Sequence, residues 1–81
     1  MTVNEVLIID DNFLMREILL SFLASKGILA QSCDNGIDAL EMISMNSFRV
    51  LLIDYRMPRM NGEELVRAIR KFDREVSIRG G

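Results

Sequence analysis

Apolar and polar residues change rhythm several times along this chain, and each change marks an element. Val6 to Ile9 is an unbroken apolar run rich in β-branched side chains, the signature of a strand in a parallel sheet. Asp10, Asp11 and Asn12 end it. Leu14, Met15, Ile18, Leu19, Phe22 and Leu23 then recur at helical spacing until Lys26 and Gly27, a cation for the last turn and a glycine for the C′ position. Ile28 to Cys33 mixes apolar and polar positions and predicts a shorter strand nearer an edge, closed by the turn cluster Asp34, Asn35, Gly36.

Ile37, Ala39, Leu40 and Ile43 carry a second helix, and a polar stretch from Ser44 to Ser47 separates it from the apolar run Phe48 to Ile53, a third strand. Asp54 closes that strand. From Glu63 to Phe72 the residues Leu65, Val66, Ile69 and Phe72 share one helical face, with two glutamates at the positive end of the helix and Arg70 and Lys71 at the negative end. Val76 to Ile78 can begin a short fourth strand, although Arg79, Gly80 and Gly81 are poor continuations of one. Strand and helix alternate three times, which under the right-handed crossover rule predicts a parallel α/β sheet covered on both faces. A chain of 81 residues without repeats or linkers is expected to be one domain, residues 1–81.

Composition narrows the function classes. Apolar residues make up 49% and charged residues 27%, so a core is attainable and disorder is excluded. Twelve acids against ten bases, spread along the chain, leave no basic footprint for nucleic acid or an anionic membrane surface. Apolar runs fall far short of the roughly 20 residues that span a bilayer. The lone Cys33 has no internal disulfide partner and no leader opens the chain, so a cytoplasmic setting is expected. Without a histidine or a metal-ligand spacing around it, Cys33 reads as a small apolar residue; Met42, Met45, Met57 and Met60 read as packing and loop fillers, and Arg67, Arg70, Lys71 and Arg74 as a solvated face.

The carboxylates carry the chemistry. In open parallel sheets functional groups gather beyond the carboxyl ends of the strands. Asp10 and Asp11 stand there for the first strand and Asp54 for the third; if the two strands are neighbours, three carboxylates converge. Like charges so placed recruit a cation, and an all-oxygen ligand set with open water positions suits Mg²⁺. A carboxylate beside Mg²⁺ can attack a phosphoryl group, and Asp54 is the best placed to do so. In the following loop, Arg56 can turn its backbone carbonyl to the metal, Pro58 stiffens the exit, and Asn61 and Gly62 permit positive φ before the next helix. Two plainer readings stand beside this one. Asp10, Asp11 and Asn12 can simply cap the first helix, and the loop after Asp54 can be an ordinary strand-to-helix connection.

At these residues the chain resembles a known family. "VLIIDDN", "DNGIDAL" and "LLIDYRMPRMNG" are similar to the receiver domains of bacterial two-component response regulators, from residue 3 to about 78. The resemblance implies a flavodoxin-like fold with sheet order 2-1-3 over the strands present, and Asp54 as the acceptor of a phosphoryl group from a histidine kinase or phosphotransfer protein. Asp10, Asp11 and the Arg56 carbonyl would arrange Mg²⁺, with Asp11 ahead of Asp10 as the direct ligand. At most, the chain would catalyse its own phosphorylation.

The resemblance also implies a departure. Receivers continue through a fourth strand ending in Ser or Thr and a fifth ending in Lys, and this chain stops after its third helix or at the start of the fourth strand, so the usual switch output is not expected. A free sheet edge beside uncovered helix faces predicts association of two chains, by edge pairing or exchange of terminal segments. The competing expectation is a non-catalytic, dimeric interaction module that occupies a kinase or another receiver.

Overall fold

Four parallel strands form one sheet in the order β2-β1-β3-β4. The computed structural model describes residues 5–54, 57, 62–72 and 75–80. In chain order the elements are β1 (Val6–Ile9), α1 (Phe13–Ser25), β2 (Ala30–Cys33), α2 (Gly36–Met45), β3 (Val50–Ile53), α3 (Gly62–Phe72) and β4 (Ser77–Gly80). The sequence pattern thus gives the right elements in the right order, with two strands trimmed at their starts. Ile28 and Leu29 precede β2, where the Leu29 carbonyl accepts from the Glu5 and Val6 amides. Phe48 is buried just ahead of β3.

The fourth strand corrects one expectation. Arg79 and Gly80 do continue it, pairing with Leu52 and Ile53 of β3. A parallel ladder asks only for backbone N–H and C=O groups, so a strand with poor strand-forming side chains still forms when its neighbour holds the register.

Alternation along the strands divides the side chains between two faces. Leu7, Ile9, Leu51 and Ile53 point to one side, where they form the core with Ala39 of α2, Leu65 and Ile69 of α3, Phe48, Met57 and Val76. Met57 is therefore a core residue, more than a loop filler. The opposite side carries α1, which packs over β1 and β2. This helix has no buried residue. Its predicted apolar stripe is real but largely uncovered, with Leu14 70%, Ile18 61%, Phe22 57% and Met15 43% exposed. Ile37 of α2 is likewise exposed.

Helix ends follow the local sequence. Asn12 caps α1, its side-chain oxygen accepting from the Met15 amide at 3.1 Å. Asn35 caps α2 through the Asp38 amide at 2.8 Å, while the Asp38 carboxylate accepts from the Asn35 side-chain amide at 3.0 Å. At the end of α1, Gly27 takes φ of 75°; its amide donates to Ala24 and the Ile28 amide to Leu23, the two bonds of a Schellman turn.

Candidate functional site

Because β1 and β3 are adjacent and in register, Ile9 opposite Ile53, they end level with one another. The next residue of each chain segment is an aspartate. The Asp54 amide donates to the Ile9 carbonyl at 2.9 Å, and the Asp10 amide donates to the Cys33 carbonyl at 3.1 Å, so the ladder holds both backbones one residue beyond the strands. Asp10 and Asp54 are half-buried and Asp11 is exposed. One carboxylate oxygen from each of Asp10, Asp11 and Asp54 lies within 4.8 Å of the other two.

The role of each group near the turn separates the readings that the sequence left open. Asn12 makes the cap of α1. Asp10 uses Oδ1 to accept from the Asn12 amide at 2.9 Å, which fixes its carboxylate at the mouth of the site, and its carbonyl accepts from Arg16 Nη1 at 2.8 Å. The capping function thus belongs to the asparagine, and the turn it organises presents the two aspartates outward. Arg56, whose carbonyl was expected to join the site, lies outside the described residues, as do Pro58 and Asn61.

Three carboxylates in so small a space form an all-oxygen, solvent-accessible donor set. Hard divalent cations take such ligands, and Mg²⁺ in particular keeps several waters while using one or two carboxylates. The residues fit that ion. Beside the site runs a groove of about 430 Å³ lined by Asp10, Asn12, Met15, Leu19, Leu52 and Asp54 among others, reaching Arg79 and Gly80 of β4. Sequence reasoning did not foresee this groove, because it depends on how far α1 stops short of β3 and β4.

Cys33 sits behind the site at the end of β2. It is buried, its thiol facing the Asn35 carbonyl at 3.6 Å, and burial pushes its pKa up to about 11. It is inert packing at neutral pH, as its sequence context predicts.

Comparison with known proteins settles the family. The model of the response regulator receiver domain matches residues 6–79. The chain belongs to the response regulator receiver family. The response regulator mcs4 of Schizosaccharomyces pombe is 35% identical over 73 residues, covering 90% of this chain but 14% of that protein. A receiver protein from Pseudomonas putida superposes with a TM-score of 0.89 at 32% identity, over 99% of this chain and 68% of that one. The response regulator TrrA of Thermotoga maritima, solved in complex with Mg²⁺ and BeF, superposes with a TM-score of 0.85 at 28% identity, over 94% of this chain and 66% of that one; TrrA has also been solved in complex with the histidine kinase ThkA. This receiver chain spans about two-thirds of those solved receivers and a small part of the curated relative.

Proposed function

We propose that this receiver chain accepts a phosphoryl group on Asp54 from a histidine kinase or phosphotransfer protein. The observation that carries the reading is the convergence of Asp10, Asp11 and Asp54 at the level ends of two paired strands. Family membership and the Mg²⁺–BeF and kinase complexes of TrrA support it. In the transfer, an Asp54 carboxylate oxygen forms a bond to phosphorus as the bond from phosphorus to the donor nitrogen breaks, and the departing imidazole takes up a proton. The donor is a residue of another protein or segment, since these 81 residues contain no histidine.

Asp10, Asp11 and Asp54 would hold Mg²⁺, with the carbonyl of Arg56 as a further ligand. When bound, that ion neutralises charge on the transferring oxygens. The protein's own contribution is positional. The ladder fixes Asp54 on a rigid base, and the hydrogen bond from the Asn12 amide aims Asp10. A cytoplasmic setting is proposed on composition; no helix among the described residues is long and apolar enough to cross a membrane. Self-association is proposed as well, supported by the β4 edge and the uncovered side chains of α1.

The exposed apolar surface of α1 favours a second reading, an interaction module that binds a kinase or another receiver without being phosphorylated. Intact-mass measurement after incubation with acetyl phosphate and Mg²⁺ separates the two. Phosphoacceptance gives an acid-labile adduct in the wild type and none in Asp54→Ala. Absence of an adduct in the wild type leaves the interaction module.

A further inference from the structure

The polar contacts at the start of α1 close into a ring around Asp10. The Asp10 amide donates to the Cys33 carbonyl at 3.1 Å, Asp10 Oδ1 accepts from the Asn12 amide at 2.9 Å, and the Asn12 carbonyl accepts from the Arg16 amide at 3.1 Å. Arg16 completes the circuit. From the first turn of the helix its side chain reaches back six residues, and Nη1 donates to the Asp10 carbonyl at 2.8 Å. That carbonyl belongs to the peptide unit joining Asp10 to Asp11.

A peptide unit is planar and stiff, so a donor that fixes its carbonyl fixes the whole plane. The side chains of Asp10 and Asp11 leave the backbone at its two ends, and holding the plane therefore limits the directions open to both carboxylates. Arg16 is built for this task. Its side chain is half-buried, and its guanidinium lies over the Phe13 ring at 5.6 Å, a contact that restrains the head group. Arg16 also lines a cavity of about 420 Å³ with Asp34, Asp38 and Glu41, yet it gives this hydrogen bond to a neutral carbonyl. Charge alone argues against such a neighbour, because a guanidinium beside a cation site repels the cation. Clamp and charge thus act on cation binding with opposite signs.

We infer that Arg16 is a positioning residue for the proposed cation site: by clamping the Asp10–Asp11 peptide it presets both carboxylates and strengthens Mg²⁺ binding despite its own positive charge. The inference rests on the reading of Asp10, Asp11 and Asp54 as the Mg²⁺ ligands. Calorimetric titration of the 81-residue chain with MgCl₂ tests it, with far-ultraviolet circular dichroism to verify folding. Arg16→Met keeps an apolar stem and removes donor and charge together; its dissociation constant for Mg²⁺ should rise about tenfold. Arg16→Lys keeps the charge and a donor, and should recover most of that loss. In labelling by acetyl phosphate, Arg16→Met should raise the half-saturating Mg²⁺ concentration while the rate at saturating Mg²⁺ stays within about twofold. Amide resonances of Asp11 and Asn12 should broaden in Arg16→Met while those of β1 and β3 hold.

An Arg16→Met variant that binds Mg²⁺ as tightly as the wild type, or more tightly, overturns the inference alone, since repulsion then outweighs any clamp. Weaker binding without the local change at Asp11 and Asn12, or without recovery in Arg16→Lys, also overturns it and traces the loss to general destabilisation. A wild type that binds no Mg²⁺ at tens of millimolar overturns the inference and the cation-site reading together. A wild type that binds Mg²⁺ but takes up no phosphoryl group removes phosphoacceptance only, because the clamp is read from binding and from the amide resonances.

Discussion

Individual residues at the ends of β1 and β3 show how far chemistry is written in sequence. Asp10 and Asp54 could be found because each directly follows an apolar run, with Asp11 next to the first, and a carboxylate placed there has no packing role to explain it. What the sequence could not decide was which residue caps α1. Asn12 and Asp10 are both competent caps, and only the φ and ψ of the turn assign the cap to the asparagine and free the acids. Cys33 yields a prediction at this scale. Its thiol is buried and its pKa raised to about 11, so the folded state holds that proton more tightly than the unfolded chain does. The associated stability is complete below the unfolded thiol's pKa and is lost as pH rises from about 9 through 11, an effect on the order of 2 kcal/mol. Urea denaturation at pH 7.5, 9, 10 and 11 should show this loss in the wild type and a flatter alkaline limb in Cys33→Ala.

Elements were more legible than their surroundings. The apolar runs of β1 and β3 look alike in sequence, yet β1 is buried at every position while Val50 and Leu52 of β3 are half-covered, because α1 lies over β1 and β2. A run of apolar residues records what a strand is suited to, and the neighbours decide what it receives. The fourth strand teaches the converse, since Arg79 and Gly80 enter the sheet through a ladder whose hydrogen bonds do not consult side chains. α3 is the element the core depends on most plainly: Leu65 and Ile69 are both fully buried against the sheet and α2. Leu65→Ala should cost about 2–5 kcal/mol through lost burial and the cavity left behind, whereas removal of the α2 cap in Asn35→Ala should cost about 1 kcal/mol. Equilibrium urea unfolding of the two variants checks the contrast, and comparable losses would mean that the core is not organised around α3.

At the scale of the whole molecule, the two sides of the sheet are unequal. Among the described residues, one holds α2, α3 and the main buried cluster; the other holds α1, packed over β1 and β2. The proposed phosphoacceptor site lies at the seam, where β1 and β3 end beneath the start of α1. The family's fold was readable from alternation and the two acidic motifs, but the placement of α1 over β1 and β2 was not, since it follows from distances between elements that no local pattern encodes.

A helix with no fully buried side chain, held on β1 and β2 by half-buried Leu19, Leu20 and Leu23, is a natural candidate for local opening while the sheet stays intact. Hydrogen–deuterium exchange should therefore find the α1 amides exchanging well ahead of those in β1 and α3 in dilute solution, and slowing as concentration rises. The stretch that leads out of the acidic turn would then work as a built-in gauge of company, its protection tracking whether anything lies against it.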